Sequence, residues 1–431
     1  MSLVMSAESG GNIVHLDWLF ILSSANFGQP TQMEDPVPTL SPRASFWTAA
    51  LVAGLALWAS AAPTVVYPLY AAEWHLTPAL TTAIFAAYPV VLIPVLLIFG
   101  NLSDFIGRRA AILIGLTALA LGSSVFGLAP DLGWVFAGRA LMGVGVGLAL
   151  SPATAAMIEF GGPSRAHRAS STTTAATATG LALATLVGGA LVQYAPSPLH
   201  LTFWLLTLIT IVAFVLAWFF PRHTADESVG RWRPRGLTIP SGARRAFAAG
   251  TLGVSAAYAM GAVFLALGAQ IARQLIRSDN GFVDGAVISV SAVMIGVVAI
   301  VARPLPARIS LFWGPFALAL GLGTLIGSGL AHSLPLFIVA SVLSGTGYSL
   351  LFSGGLGMIA ASAPEHQRGA VISAAYVIGY LLQAACALAL GAIATTAGLL
   401  SAIELGILPL VALAVGALLL ANMRRRDPAV A

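Results

Sequence analysis

Long apolar runs recur along the chain and are separated by short polar segments. Runs of this length predict helices that cross a bilayer, because about 20 helical residues span its hydrocarbon core. The period-2 alternation that a transmembrane barrel requires is absent. The pattern therefore predicts an all-α integral membrane protein with twelve transmembrane helices, approximately at 46–71, 80–100, 110–130, 134–158, 170–194, 200–220, 246–272, 284–302, 312–331, 334–360, 369–394 and 400–422.

The gap between the sixth and seventh runs divides the chain into two halves. Residues 221–245 are rich in Arg, Pro and Gly and are predicted to form a cytoplasmic linker. The other predicted segments are a mobile N-terminal extension at 1–45, an N-terminal six-helix half at 46–220, a C-terminal six-helix half at 246–422 and a cytoplasmic tail at 423–431.

The two halves also resemble each other in sequence. A shift of 202 positions aligns the fourth run with the tenth, so that Gly143 falls on Gly345 and Ser151 falls on Ser353. Parallel six-helix repeats produce this kind of internal match. The sequence therefore predicts two similar half-domains that are related by a pseudo-two-fold axis.

Composition excludes several classes of function. The chain has 431 residues, of which 58% are hydrophobic and 8% are charged. No soluble fold can cover so much apolar surface with so few polar groups, which excludes soluble enzymes, nucleic-acid-binding proteins and secreted disulfide scaffolds. The one cysteine, Cys386, lies inside an apolar run. An intrachain disulfide is therefore impossible, and no metal site or cofactor is expected.

The basic residues indicate an orientation. All 20 are arginines, a usage that indicates a high-GC bacterial genome and hence the bacterial inner membrane. With both termini in the cytoplasm, 17 arginines fall in cytoplasmic segments, Arg273 and Arg277 fall in outer loops, and Arg139 falls within a run. This distribution agrees with the positive-inside rule. The outer loops are then expected to carry the acidic residues Glu73, Asp131, Asp279 and Asp284.

The second and third runs are joined by the motif GNLSDFIGRR, which extends from Gly100 to Arg109 and is called the motif loop below. Gly107 can adopt the positive φ of a tight reversal between two helices. Asp104 is an anion at the membrane boundary, where it needs a partner. The candidates are Arg108, Arg109 and the N-terminus of another helix that faces the cytoplasm.

The motif loop resembles the signature G-x-x-x-D-R/K-x-G-R-R/K of the major facilitator superfamily, at the expected place between helices 2 and 3. Gly100, Asp104, Gly107, Arg108 and Arg109 match, and the usual basic residue is replaced by a phenylalanine at position 105. The resemblance covers roughly residues 46–422 and implies the two-half fold of that family. It also implies a two-state latch, in which Asp104 reaches the start of helix 11 near position 369 with Arg139 nearby. The alternative is that the charges only hold the topology.

Two charged residues are candidates for coupling. Arg139, with Gly143 and Gly147, resembles the fourth-helix motif that the same family associates with proton-linked transport. A charge inside a span indicates function, although a side chain that extends to the outer interface would also fit this position. Glu159 ends the fourth run and either takes part in coupling or caps the loop near Arg165 and Arg168.

The residues expected to line a central cavity are aromatic or uncharged. In this architecture helices 1, 4, 7 and 10 line the pathway, with helices 2, 5, 8 and 11 beside them. Aromatic walls with a few hydroxyls and amides suit a neutral or amphiphilic solute better than an anion. The candidates are Trp58, Tyr67, Ser151, Tyr258, Gln270, Tyr348, Ser353 and Gln383, with Tyr376 and Tyr380 on the eleventh helix.

Together these features predict a secondary transporter that moves a small organic solute by alternating access. The expected activity is proton-coupled export of hydrophobic or amphiphilic compounds, although the fifth run keeps only part of the antiporter-type glycine motif (Gly180, Gly188 and Gly189). The expected partners are a small-molecule substrate, protons and the lipid bilayer, without nucleic acid, and the expected state is a monomer. Uptake of a neutral metabolite such as a sugar and a non-transporting membrane sensor are the alternatives. An enzyme is not expected, because HExxH, GxSxG and nucleotide-binding motifs are missing.

Overall fold

The computed structural model describes residues 39–161, 166–221, 241–364 and 368–423. Within these ranges twelve helices are long and apolar enough to span a membrane, and the predicted all-α membrane fold is confirmed. These helices are α1 (Pro42–Ala61), α2 (Pro78–Phe99), α3 (Arg108–Gly127), α4 (Leu132–Gly161), α5 (Ala166–Tyr194), α6 (Pro198–Trp218), α7 (Arg244–Leu275), α8 (Gly281–Val301), α9 (Ala307–Leu330), α10 (Leu334–Ser362), α11 (Arg368–Ala397) and α12 (Leu399–Asn422).

The segments predicted to flank and link the halves lie mostly outside the described residues. Of the N-terminal extension, the structure describes the part that leads into α1. The Oγ of Ser41 accepts a hydrogen bond from the N–H of Ala44 (3.3 Å), and Pro42 occupies the first turn, where a missing N–H costs nothing. The helix therefore begins before position 46, which the sequence had predicted as its start.

The first predicted span is not one continuous helix. α1 ends at Ala61, a turn follows, and a short helix runs over Tyr67–Glu73. Pro63 explains the break, because it has no N–H to donate to the carbonyl of Ala59 one helical turn earlier. The N–H of Thr64 bonds the carbonyl of Ala61 (3.0 Å). The carbonyls of Ala59 and Ser60 thereby lose their usual helical donors.

The packing within the first six helices is repeated in the last six. In the first half α1 packs against α4 and α5, α2 against α4, and α3 against α4 and α6. In the second half α7 packs against α10 and α11, α8 against α10, and α9 against α10 and α12. The halves meet where α2 packs against α11 and α5 packs against α8. In each half the first and fourth helices thus pack against each other, α1 against α4 and α7 against α10.

Glycines on α4 permit its close packing. A Cβ on Gly145 would lie 2.6 Å from the backbone nitrogen of Leu119 on α3, and a Cβ on Gly143 would lie 2.7 Å from the carbonyl oxygen of Tyr88 on α2. Small residues let membrane helices approach in this way. The glycines that follow Arg139 therefore serve helix packing, as the sequence pattern indicates.

The two ends of the bundle differ in the loops they carry. The motif end carries the motif loop between α2 and α3, and the far end carries the loops between α1 and α2, α7 and α8, and α9 and α10. At the far end α7 becomes irregular, with π-helical turns at Val263–Leu267 and Ile271–Leu275. Such turns leave carbonyl groups available to other partners and often occur at functional sites.

Candidate functional site

The motif loop forms a compact turn around Arg108. The loop contains the short helix Ser103–Ile106, and Gly107 follows it at φ 83°, a conformation that side-chain-bearing residues rarely adopt. The guanidinium of Arg108 donates to Asp104 Oδ1 and to Ser103 Oγ, each at 2.6 Å. Arg108 is buried. The first of the predicted partners of Asp104 is therefore in contact with it.

Arg109 ties the motif loop to the end of α6. Its Nη1 donates to the carbonyl of Phe220 (3.3 Å), and its guanidinium lies 5.3 Å from the ring centroid of Trp218. The side chains at the start of α11 lie outside the described residues, so the bridge from Asp104 to position 369 stays a prediction. The side chains of Arg165 and Arg168, which were named as neighbours of Glu159, lie outside them as well.

Arg139 is completely buried inside the first half. Its Nη1 donates to the carbonyl of Ala59 (3.0 Å) and its Nη2 to the carbonyl of Ser60 (2.9 Å). These are the two carbonyls that the turn at Pro63 releases from the helix. A forked guanidinium satisfies both, which a single ammonium cannot do in the same geometry. The geometry is that of an internal bridge from α4 to α1 and not of a side chain extended to the membrane interface.

Aromatic rings complete the surroundings of Arg139. Its guanidinium lies 4.8 Å from the ring centroid of Tyr88 and 5.8 Å from that of Phe85, both on α2. Cation–π contacts of this length stabilise a buried cation. The hydroxyl of Tyr67 and the Nε of Arg139 are buried without a hydrogen-bond partner in the described part of the chain.

The structure corrects the expectation that Arg139 lies near the motif loop. Tyr88, which packs on Arg139, precedes the end of α2 at Phe99 by eleven residues, or about 16 Å of helix. The motif loop begins only after that point. Glu159, by contrast, lies half-buried in the last turn of α4, at the motif end.

The structure brings only some of the predicted cavity residues together. Tyr258 on α7, Tyr348 on α10 and Tyr376 and Tyr380 on α11 form one cluster, with Gln383 close by. Phe352, which the sequence reading did not select, belongs to the same cluster. The remaining candidates lie elsewhere: Tyr67 and Gln270 are buried at the far end, Trp58 and Ser353 are half-buried, and Ser151 is exposed.

Among the described residues, three hydrogen bonds join the two halves and close the far end. Thr64 Oγ1 donates to the carbonyl of Leu265 in the π-helical part of α7 (2.9 Å). The other two bonds join α2 to α11 and α5 to α8: the N–H of Ala79 donates to Thr395 Oγ1 (2.9 Å), and the N–H of Gly281 donates to Gln193 Oε1 (2.8 Å).

Glycines allow the helices to approach closely beside two of these bonds. A Cβ on Gly189 of α5 would lie 2.6 Å from the carbonyl oxygen of Gly281 and 3.0 Å from the Cα of Gly285, both on α8. Gly391 of α11 packs in the same manner against Thr82 of α2. We call these two contacts the α5–α8 seam and the α2–α11 seam.

The sequence profile of the Major Facilitator Superfamily matches residues 46–313, which is more than half of the chain. The match includes the motif loop and Arg139. The chain belongs to the Major Facilitator Superfamily. The predicted family is therefore confirmed, and with it a multi-pass membrane protein from a family of transporters.

Two curated relatives are named for drug resistance or drug efflux. The puromycin resistance protein pur8 of Streptomyces alboniger is 35% identical over 113 residues, which cover 26% of this chain and 22% of that protein. The multidrug efflux pump LfrA of Mycolicibacterium smegmatis is 34% identical over 131 residues, which cover 30% of this chain and 25% of that protein. The chain thus spans about a quarter of the length of these relatives.

Solved transporter structures share the whole fold at low sequence identity. A peptide transporter of the POT type superposes with a TM-score of 0.72 at 16% identity, over 89% of this chain and 96% of that one. A bacterial homologue of the human lysosomal transporter Spinster, in an inward-facing and unoccupied conformation, gives 0.69 at 14% identity, over 88% and 97%. At such identity these likenesses concern the fold alone.

The ion pair between Asp284 and Arg273 was not predicted from the sequence. Asp284 was placed in an outer loop, but it lies in the first turn of α8 and is only 3% exposed. Its Oδ2 lies 3.4 Å from Nε of Arg273 in the π-helical end of α7, and its Oδ1 has no hydrogen-bond partner among the described residues. Asn280, an N-cap whose side chain accepts from the N–H groups of Phe282 and Val283, is the signal that marks the true helix start.

Removing either partner of this ion pair is expected to have unequal effects. Arg273→Gln leaves a buried carboxylate without its cation and should lower the free energy of unfolding by about 3 kcal/mol. Asp284→Asn leaves an arginine that is partly exposed and can reach water, so we expect a loss of about 1 kcal/mol. Thermal and denaturant unfolding of the purified protein in detergent measure both. The exposed Asp279→Asn is the control, and equal losses in the two variants would contradict the argument.

The described residues contain no group of three or more His, Cys, Asp or Glu side chains that could hold a metal ion. Cys386 lies half-buried on α11, and its thiol points toward the carbonyl of Ala259 (3.8 Å). What the described site offers a ligand is therefore aromatic faces, hydroxyls and amides.

Proposed function

We propose that this protein is a secondary active exporter of hydrophobic or amphiphilic organic compounds, coupled to protons, in the bacterial inner membrane. The proposal rests on the chemical character of the side chains inside the bundle. Arg139 is buried and bonds backbone carbonyls, and a cluster of tyrosines with an amide lies among α7, α10 and α11. Walls of this kind suit an apolar or amphiphilic solute and lack the paired cations that phosphate esters or dicarboxylates require.

The direction of transport is proposed from the relatives and the charge distribution. Two curated relatives are named for drug resistance or efflux, and each matches over a limited part of its length. The 17 arginines assigned to the motif-end segments favour a cytoplasmic motif end with both termini inside. With the far end closed by the two seams and the Thr64 bond, the pathway would then open to the cytoplasm, where an exporter takes up its substrate.

Alternating access would require the far end to open and the motif end to close. We propose that Gly100, Asp104, Gly107, Arg108 and Arg109 act in the second step as a latch. The contact of Asp104 with Arg108 supports this role, because it holds the carboxylate in place at the membrane boundary. Arg139 and Glu159 remain the candidates for coupling, and Asp284 now joins them as a buried acid at the other end of the bundle.

Uptake of a neutral metabolite is the second candidate function. A short match favours it, to a chloroplastic D-xylose-proton symporter-like protein of Arabidopsis thaliana, at 44% identity over 50 residues, or 12% of this chain and 9% of that one. The tyrosine cluster also offers hydroxyls that could bond a polyol. The α7–α11 walls contain more ring faces than amides, which favours the exporter.

Dye transport in everted vesicles tests the proposal and the latch together. Vesicles energised with a proton gradient should accumulate ethidium when they contain the wild-type protein. Asp104→Asn removes the charge that Arg108 holds, and we expect it to reduce the initial rate at least about tenfold with unchanged membrane insertion. Near-wild-type transport by Asp104→Asn would show that Asp104 does not act in a latch. No gradient-dependent uptake by the wild type, combined with uptake of a sugar by intact cells, would favour the second function.

A further inference from the structure

Five aromatic rings in the second half form one array. The ring of Tyr380 is tilted by 47° to that of Tyr258, and the other three rings lie at 9–32° to it. Tyr258 is at its centre, with ring centroids 5.7 Å from Phe352, 6.4 Å from Tyr376 and 4.7 Å from Tyr380. The interplanar angle is 21° to Phe352 and 9° to Tyr376. Tyr348 extends the array from α10, at 28° to Phe352. The rings come from three helices, so the array depends on the fold and not on local sequence.

The packing of the array leaves ring surface accessible. Tyr348, Phe352, Tyr376 and Tyr380 are each half-buried among α7, α10 and α11, so part of each side chain remains open to a ligand. Gly379 makes room for the array, since a Cβ there would lie 2.8 Å from the ring of Tyr258. The array therefore combines mutually packed rings with ring surface that a ligand could contact.

The array has hydrogen-bonding groups but no charge. α10 contains no charged residue between Leu334 and Ser362, and α11 contains none after Arg368. The polar groups are the tyrosine hydroxyls and the amide of Gln383, which lies beside Gly261 on α7. A ligand would be selected by the flatness of its rings and by hydrogen bonds at their edges, because stacked rings gain most when their faces are offset and parallel.

The first half approaches the array through α2, which packs against α11. The ring of Tyr88 on α2 receives the guanidinium of Arg139 at 4.8 Å. The helix that carries Tyr376 and Tyr380 is therefore packed against the helix that contacts the buried cation of the other half.

We infer that the array formed by Tyr258, Tyr348, Phe352, Tyr376 and Tyr380 is the binding site for planar aromatic compounds. This inference rests on the proposed function and narrows it, from hydrophobic compounds in general to those with fused, flat rings. A bulky aromatic ion with rings splayed out of one plane could not lie on these faces. The site thereby discriminates by shape between molecules of similar charge and hydrophobicity.

Equilibrium binding to the purified full-length protein in detergent tests the inference. The probe is radiolabelled ethidium, a cation with a planar fused ring system, and bound probe is measured by equilibrium dialysis. Tetraphenylphosphonium, an aromatic cation whose rings do not share a plane, serves as competitor. We expect saturable ethidium binding that tetraphenylphosphonium displaces at least about tenfold more weakly than unlabelled ethidium does. Absent ethidium binding, or equal displacement by the two cations, would overturn the inference.

Variants locate the binding site. Tyr376→Leu removes the ring most nearly parallel to Tyr258 and should raise the Kd for ethidium about tenfold, whereas Tyr376→Phe keeps the ring and should change it less than about threefold. Tyr348→Leu removes a ring from another helix and serves if Tyr376→Leu does not fold. The control is Tyr194→Leu, which removes a tyrosine that is 71% exposed at the far end.

The outcomes separate this inference from the proposed function. Binding that depends on the array, without energised transport in vesicles, would overturn the exporter and leave the site intact. Energised transport with ethidium binding that Tyr376→Leu and Tyr348→Leu leave unchanged would support the exporter and overturn the site.

Discussion

Arg139→Gln is expected to lower the free energy of unfolding by about 2–4 kcal/mol and to reduce energised ethidium transport at least about tenfold. The guanidinium bonds the carbonyls of Ala59 and Ser60, which Pro63 and the following turn deprive of their helical donors. A buried carbonyl without a donor costs about 1–3 kcal/mol. Glutamine is too short to reach both, so α1 would lose its connection to α4 at the point where it bends.

The conservative variant and an exposed arginine make this result interpretable. Arg139→Lys keeps the charge but lacks the two parallel donors of the guanidinium. We therefore expect stability and transport between those of the wild type and those of Arg139→Gln. Arg308 is exposed at the start of α9, and Arg308→Gln should leave stability and transport near wild type. Unfolding in detergent and dye uptake in everted vesicles supply the two measurements. Wild-type values for Arg139→Gln in both would mean that the bridge has no role.

Gly189→Leu is expected to hold the far end open. The atoms that a side chain would meet are backbone atoms of Gly281 and Gly285, which cannot rotate away. Overpacking of this kind costs about 1–3 kcal/mol. Since only the closed state contains the α5–α8 seam, its population relative to the open state should fall about 5- to 150-fold. Transport should be lost, because a carrier must visit both states.

Labelling of the far end measures the effect directly. In a Cys386→Ser chain, Thr64→Cys places a thiol at a position that is 1% exposed when the far end is closed. A membrane-impermeant maleimide should label it faster when Gly189→Leu is also present. Gly323→Leu on α9 is the matched control, because a Cβ there meets nothing within 4 Å. Equal labelling rates in the two leucine variants would show that the seam does not govern closure.

The sequence predicted the helices well, since each is defined by its own apolar length. It failed at the first span, where an apolar run continues across Pro63 although the helix does not. The run hides the break, because a turn buried in protein can be as apolar as a helix. The proline was visible in the sequence, but the partner of the released carbonyls, Arg139, lies 80 and 79 residues away and could come only from the fold.

The kinds of side chain in the candidate site could be predicted from the sequence, but not which residues come together there. The sequence identified aromatic and amide side chains on the central helices, and several of them meet at Tyr258. Gln270 lies on α7 and Tyr67 begins the short helix after α1, and the closed far end buries both. Tyr88 was missed because α2 was treated as a flanking helix, and nothing local shows that its ring packs on Arg139 of α4. Which face of a helix meets the other half depends on how the halves dock.

The two seams relate to each other as the halves of an isologous interface. Gln193 and Thr395, the acceptors of the cross-helix bonds, are 202 positions apart, and so are their donors Ala79 and Gly281. Gly189 and Gly391 have the same separation. Each half therefore presents one acceptor and one donor to its twin, as subunits do across a two-fold axis. Asp284 stands where the other half has Thr82. The two sides of this self-complementary contact therefore differ chemically at the far end, because Asp284 gives the second half a charged residue where the first half has an uncharged one.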